Sequence, residues 1–427
     1  MKIVISGGTG QVGTILNRAL TAAGHDVVVL TRRPVCDREV GWDGETLGPW
    51  TEVIDGCDVV INLAGRSVSC RYTAANLQTM MASRVKSARV VGEAIAAATR
   101  PPRVWLQMST ATIYAHRFDA PNDEATGAIG GTEPGVPGYW AYSVEIAKAW
   151  ELAQERAETP YTRKVALRSA MVMSPDRGGV FDVLLWLARL GLGGAVAGGA
   201  QYVSWIHDDD FVRAVEFLID RDDLVGPVNL AAPGPLPQRT FMRALRTAWG
   251  VPLGLPSMAW MAEIGAFVLR SDTELLLKSR RVVPVRLIEA GFDFDHAQWP
   301  EAAEDLVRRR RSGSRESRSR RPIAQDLRSC RAGRQVVDGI DHHVRSADMD
   351  VVAGIGYDDV APGRRSLQAG PPRSDLRRNA GGGTEHDGRS IKRCRHRSPA
   401  PDFADAAFHK QALRVAGPEL RHCVISS

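Results

Sequence analysis

No part of this 427-residue chain stays apolar for the roughly 20 residues that a membrane-spanning helix requires. The longest apolar stretch, over 180–192, is interrupted by Asp182, Arg189 and glycines. The first residues carry only Ile3, Val4 and Ile5 before glycine, too short for the apolar region of a secretory signal, so the expected location is cytoplasmic, with no membrane partner. Cysteine is sparse: Cys36, Cys57, Cys70, Cys330, Cys394 and Cys423 show neither CxxC spacing nor the density of a disulfide framework. They read as reduced thiols, and no metal site is expected. Tryptophan is missing from the end of the chain, all ten lying before residue 300.

That gap coincides with a split in charge. The overall +6 averages 30 basic against 35 acidic residues over 1–307, or −5, with 25 against 14 over 308–427, or +11. The last 120 residues hold only 20 Leu, Ile, Val or Phe, below the composition that sustains a core, so 307–427 is expected to be a disordered, arginine-rich tail. The remainder has apolar residues enough for a sizeable core.

Short apolar strands alternate with helices of period 3.6 through the first half of the chain. Strands are predicted over 2–5, 26–30, 58–63, 103–108 and 164–168, with helices over 12–23, 73–98 and 139–157. Such alternation implies an α/β fold, a Rossmann-type doubly wound parallel sheet over 1–233. From 234 to 306 the pattern turns helical, around 240–249, 257–269 and 283–290, which implies a small, mainly helical C-terminal cap.

Gly7-Gly8-Thr9-Gly10-Gln11-Val12-Gly13 follows the first strand and opens the first helix, the context that a dinucleotide-binding loop needs. Gly7 permits the tight turn, Gly10 lets the backbone approach a pyrophosphate, and Gly13 allows the helix to pack closely on the strand. An acidic residue at the end of the second strand would hydrogen-bond the ribose 2′-hydroxyl of NAD. Here the chain reads Leu30-Thr31-Arg32-Arg33, with two guanidiniums suited to the 2′-phosphate, so NADP is the expected cofactor.

With this loop, Asn62-Leu63-Ala64-Gly65 and Ser109-Thr110-Ala111-Thr112-Ile113-Tyr114, the chain resembles the extended short-chain dehydrogenase/reductase superfamily. More narrowly, 58–65, Ser83-Arg84, Trp150-Glu151, Leu167-Arg168 with Ser174-Pro175, 203–209 and 226–229 resemble its atypical epimerase family of the 39U type. Residues 253–306, with 281–284 and 289–292, resemble the small C-terminal domain that accompanies it. The resemblance covers about 1–306. It implies that Gly7, Gly10, Gln11, Val12, Arg32, Arg33, Leu63, Ala64 and Gly65 line an NADP cofactor, that Thr9 and Gly13 shape the loop, and that Ser109 and Thr110 lie near the nicotinamide.

The Tyr-x-x-x-Lys pair usual in the superfamily, whose i, i+4 spacing puts both groups on one helix face, is absent. Lys148 follows Tyr142 by six residues, about 240° around the helix. Thr110 matches the substrate-orienting hydroxyl, and Tyr142 and Lys148 sit on the appropriate helix, so these three with His207 are the catalytic candidates. Tyr114 or His116 could supply a proton. Asp208 or Asp209 would cap the helix after His207, and Arg168 would meet an acidic substrate group or a structural carboxylate. The run Arg308 to Arg311 could attract phosphate polymers, yet it lacks interleaved aromatics and begins where the resemblance ends, so nucleic acid is not the expected partner. The partner is a small molecule; no oligomeric state is implied. The expected function is an NADP(H)-dependent oxidoreductase or epimerase on an unidentified small carbonyl, hydroxyl or sugar-like substrate, with a non-catalytic NADP(H)-binding sensor or scaffold as the alternative.

Overall fold

Alternation along the first strand sets the layering. In β1 (Lys2–Ser6), Ile3 and Ile5 face one side of the sheet and Val4 the other, and all three are fully buried. A computed structural model describes residues 1–256 and 274–319, which belong to a single unit spanning Met1–Gly333. Ile3 and Ile5 pack with Ile15, Leu16 and Leu20 of α1 (Gln11–Ala22) and with Phe211, Val215 and Leu218 of α5 (Asp208–Asp220). Val4 packs with Val90, Val91 and Ile95 of α2 (Ala74–Ala97) and Trp150 of α3 (Gly138–Glu155). Helices therefore cover both faces.

The main sheet has seven parallel strands. Their order is β3 (Glu39–Gly41), β2 (Asp26–Thr31), β1, β4 (Val59–Asn62), β5 (Val104–Thr110), β6 (Arg163–Ser169) and β10 (Gly226–Leu230). The winding reverses between β1 and β4, and the carboxyl ends of those strands open the crevice where such folds bind ligands. This is the doubly wound sheet that the alternation implies, with two short strands beyond those predicted. One of them, β10, contains Pro227, which an edge strand tolerates because no neighbour needs its missing N–H.

Past β6 the chain builds a second cluster. β7 (Met171–Met173) pairs with β9 (Trp205–His207), and β8 (Tyr202–Val203) pairs with β11 (Leu236–Pro237). Phe181 and Leu185 of α4 (Val180–Arg189), Phe241 and Leu245 of α6 (Gln238–Trp249), and Trp299 and Leu306 of α9 (Trp299–Ser319) share one buried cluster. Two short helices, α7 (Glu274–Leu277) and α8 (Val285–Glu289), lie between α6 and α9. The helix expected over 257–269 and the tail beyond 319 fall outside the described residues. The boundary expected at 306/307 lies inside α9, because arginines after it dock on the body of the fold: Arg310 bonds Pro175 and Asp182, and Arg311 bonds the Trp249 carbonyl. No described helix is long and apolar enough to cross a membrane.

Candidate functional site

The loop from β1 to α1 is built for close backbone approach. Gly7 has φ +74, and a Cβ there would stand 2.9 Å from Ala64 Cα at the end of β4. A Cβ on Gly13 would stand 2.5 Å from Gly8 Cα, so only glycine lets α1 rest on its own loop. Gly10 caps α1 without a side-chain hydrogen bond, and the first turn has no acidic residue, so backbone N–H groups and the positive helix end are available to an anion. Beside them, Gln11 Nε2 is buried with no hydrogen-bond partner among the described residues, as an amide awaiting a ligand acceptor would be. These residues fit a dinucleotide. Thr9 is exposed at the loop tip, Val12 and Leu63 back the loop against the core, Ala64 faces it just past the end of β4, and the next residue, Gly65, lies against the Arg84 side chain.

At the end of β2, Arg32 and Arg33 are both exposed, and among the described residues neither forms an ion pair. Thr31 Oγ1 accepts the Arg33 N–H at 3.4 Å, which anchors the backbone while leaving the guanidinium free.

The catalytic candidates separate. Thr110 ends β5, and its hydroxyl accepts the Thr112 N–H at 3.2 Å, capping the following turn. Its own O–H remains a donor. Ser109, expected beside the nicotinamide, is buried and donates to Glu151 Oε1 at 2.5 Å. Tyr142 packs beside Leu77, Met80 and Ile146. Lys148 is corrected: it lies on the exposed face of α3, bonded to Glu145 at 2.8 Å, because six residues carry it away from Tyr142 around the helix.

Arg168 meets a structural carboxylate. Its Nε and Nη2 bond the two Glu151 oxygens at 2.9 and 2.8 Å, and its Nη1 donates to Tyr114 Oη at 3.0 Å. Tyr114 in turn donates to Asn229 Oδ1 at 2.9 Å, and Asn229 Nδ2 donates to the Val283 carbonyl. The relay joins α3, β5, β6, β10 and the cap. Burial pushes the Tyr114 pKa up, partly offset by Arg168, which does not suit Tyr114 to proton transfer near neutrality. His116 is tied to the cap as well, its Nδ1 accepting the Ser279 N–H at 2.8 Å.

His207 is also corrected. It is fully buried and is itself the cap of α5: Nδ1 accepts the Asp209 N–H at 3.1 Å, so Nε2 carries the proton and donates to Asp305 at 3.2 Å. It stacks on His296 with ring centroids 3.6 Å apart. The ligating atoms of His207, Asp209, His296 and Asp305 all lie within 4.8 Å of one another. The Arg309 guanidinium reaches into this group, 2.9 Å from Asp208, 3.0 Å from Asp209 and 3.5 Å from Asp305, and supplies its positive charge. His207 is a joint between α5 and α9, not a wall of the cleft.

Burial, followed by the charges of His296 and Arg309, pushes the His207 pKa down from 6.5 to about 4. The unfolded chain binds this proton at a higher pH than the folded one. His207 therefore contributes stability above pH 6.5 that is lost as the pH falls towards 4, on the order of 2–3 kcal/mol. Denaturant unfolding across that window should show this slope in the wild type and a shallower one in His207→Asn. Equal slopes would refute the assignment.

The sequence reading missed a polar group that the cap inserts beside the β5 loop. Ser143 donates to Glu274 at 2.6 Å, Lys278 Nζ donates to the Thr112 carbonyl at 2.8 Å, and Arg280 reaches Thr112 Oγ1. Glu274, Lys278 and Arg280 are buried, although they lie more than 160 residues beyond Thr112, and no spacing motif links them. Two surface hollows, of about 240 Å³ beside Ala248 and Arg311 and about 210 Å³ beside Ile95 and Tyr161, lie away from this edge. The site is thus located by backbone geometry and chemistry, not by the size of a hollow.

Residues 3–231 match the NAD dependent epimerase/dehydratase family, and 259–306 match a domain of unknown function (DUF1731). The chain is 31% identical over 313 residues to the epimerase family protein SDR39U1 of Bos taurus, covering 72% of this chain and 100% of that protein. It is 33% identical over 304 residues to the epimerase family protein Mb2239 of Mycobacterium bovis, covering 70% and 95%. The crystal structure of human epimerase family protein SDR39U1 (isoform 2) with NADPH is similar at a TM-score of 0.64 and 26% identity, covering 72% of this chain and 99% of that one. By these matches, and by the glycine-lined crevice at the carboxyl ends of β1 and β4, the chain belongs to the NAD dependent epimerase/dehydratase family.

Proposed function

We propose that this protein binds NADP(H) and acts as an oxidoreductase or epimerase on a small carbonyl, hydroxyl or sugar-like compound. The carrying observation is the uncapped, acid-free start of α1 together with two exposed guanidiniums at the end of β2 that form no ion pair among the described residues. The first suits a pyrophosphate and the second a 2′-phosphate. That the similar human protein was crystallised with NADPH supports the same reading. The bound cofactor would supply hydride chemistry. Around it, Gly7, Gly10 and Gly13 admit the phosphates, Gln11 offers an amide donor, and Leu63, Ala64 and Gly65 close the crevice from β4. Thr110 would orient a substrate oxygen through its O–H.

Calorimetric titration with NADPH and NADH tests this directly. The wild type should prefer NADPH by at least about tenfold, and Arg32→Ala/Arg33→Ala should lose roughly 10–100-fold in NADPH affinity while NADH changes little. Equal affinities in the wild type would overturn the cofactor assignment. The missing Tyr-x-x-x-Lys pair favours a second reading, a nucleotide-binding sensor. Nicotinamide absorbance followed across a broad carbonyl and alcohol panel separates the two, absence of turnover supporting the sensor.

A further inference from the structure

Besides Arg32 and Arg33, a third cation at the carboxyl edge of the sheet, Arg84, has no counter-ion among the described residues. Met80, Ser83, Arg84 and Ser87 share one face of α2, and that face is fastened to the chain leaving β4. Ser87 Oγ donates to the Ala64 carbonyl at 3.2 Å, and Ser83 Oγ accepts the Arg66 N–H at 3.0 Å. Arg84 lies between these two fastenings. A Cβ on Gly65 would stand 3.1 Å from its side chain, and its guanidinium lies 4.9 Å from the centre of the Trp150 ring.

The guanidinium donates to the Met80 carbonyl at 3.1 Å, which uses one of its five N–H donors. Among the described residues no carboxylate lies within ion-pair distance of it. Arg84 keeps part of its surface open, yet protein surrounds it closely enough that desolvation pulls its pKa down to about 10. Arg168, on β6, has the opposite arrangement, with its charge closed by Glu151.

We infer that Arg84 receives an oxyanion of the substrate, a carboxylate or a phosphate, so that the substrates of this protein are small anions. The inference rests on the oxidoreductase or epimerase reading above. It places the anion on the β5 side of β4, beside Trp150, and not at the start of α1, where the pyrophosphate belongs. A guanidinium over an aromatic ring can still present paired N–H donors to a planar or tetrahedral oxyanion. Keeping such a charge desolvated with no carboxylate among the described residues to balance it costs stability, which a binding role explains and a packing role does not.

The test uses the full chain, labelled with ¹⁵N, and reads the arginine Nε–H signals with and without saturating NADPH. The Arg84 signal is the one lost in Arg84→Lys. Inorganic phosphate and acetate are titrated separately at constant ionic strength, which distinguishes the two oxyanion types. The expected result is a saturable shift of the Arg84 signal by at least one of them, at concentrations up to about 100 mM. Arg84→Met should abolish the response, leave NADPH affinity within about threefold, and match or exceed the wild type in Tm. No saturable shift with either anion overturns the inference, as does a loss of about tenfold or more in NADPH affinity, which would assign Arg84 to the cofactor. A fall in Tm in Arg84→Met would likewise overturn it in favour of a packing role. If wild-type NADPH binding itself fails, the cofactor reading falls, while the titration without NADPH still decides the role of Arg84.

Discussion

Arg309→Met is expected to lower the stability of the folded unit by about 3 kcal/mol, the lower end of the cost of orphaning a buried charge, since Arg309 itself is partly exposed. Asp208 has a side chain only 2% exposed, and both of its oxygens bond the Arg309 guanidinium, at 2.9 and 3.0 Å. Burial already raises the Asp208 pKa, with Arg309 as the main opposing influence. Without the guanidinium, Asp208 must take up a proton or pull water inwards. For a unit of this size the corresponding fall in Tm is roughly 4–5 °C. Asp208→Asn/Arg309→Met should recover part of the loss, and additivity of the two single effects would show that the pair is not coupled. Ending the chain after Val307 should cost at least as much as Arg309→Met, because Arg310 and Arg311 leave too, whereas ending it after Ser319 keeps all of these contacts. Thermal unfolding of the two truncations side by side decides the matter; equal midpoints would mean that the arginine run adds nothing to the fold.

Glu151→Ala is expected to be at least as damaging, on the order of 3–5 kcal/mol. Arg168 and Glu151 are 10% and 17% exposed, and removing the carboxylate orphans a buried guanidinium together with the Ser109 hydroxyl. The damage should reach the site, because Ser109 adjoins Thr110 and the relay through Tyr114 and Asn229 holds the cap. Glu151→Gln keeps the shape and one acceptor and should lose less. Denaturant unfolding of both variants, paired with NADPH titration, reads the two effects; a Glu151→Ala protein of wild-type stability would contradict the buried-pair account.

Much of the nucleotide half was legible because its constraints are local. A glycine at φ +74 between a buried strand and an amphipathic helix leaves its mark in neighbouring residues, as does a strand end that carries arginines in place of a carboxylate. Lys148 and His207 were misread for one shared reason. Residue type and approximate position suited catalysis, but helix phase turns Lys148 to solvent, and the imidazole of His207 is consumed by the Asp209 N–H and Asp305. The Arg308 to Arg311 run looked like the start of a tail because charge composition ignores partners. Three of its four arginines meet Asp208, Asp182 or the Trp249 carbonyl, residues 62 to 128 positions earlier.

The sequence by itself determined the doubly wound α/β class, the glycine cradle and the absence of a Tyr-x-x-x-Lys pair, since each is written in residues a few positions apart, and it carried the family resemblance in an ordered set of motifs over about 1–306. Only the tertiary structure decided which charges are closed and which are open. Arg168 and Arg309 meet carboxylates, Lys278 and Arg280 are brought from the cap to the β5 loop, and Arg84 keeps a guanidinium with no carboxylate beside it among the described residues. The physical reason is that ion pairing and desolvation act over a few ångströms of space, across any distance along the chain.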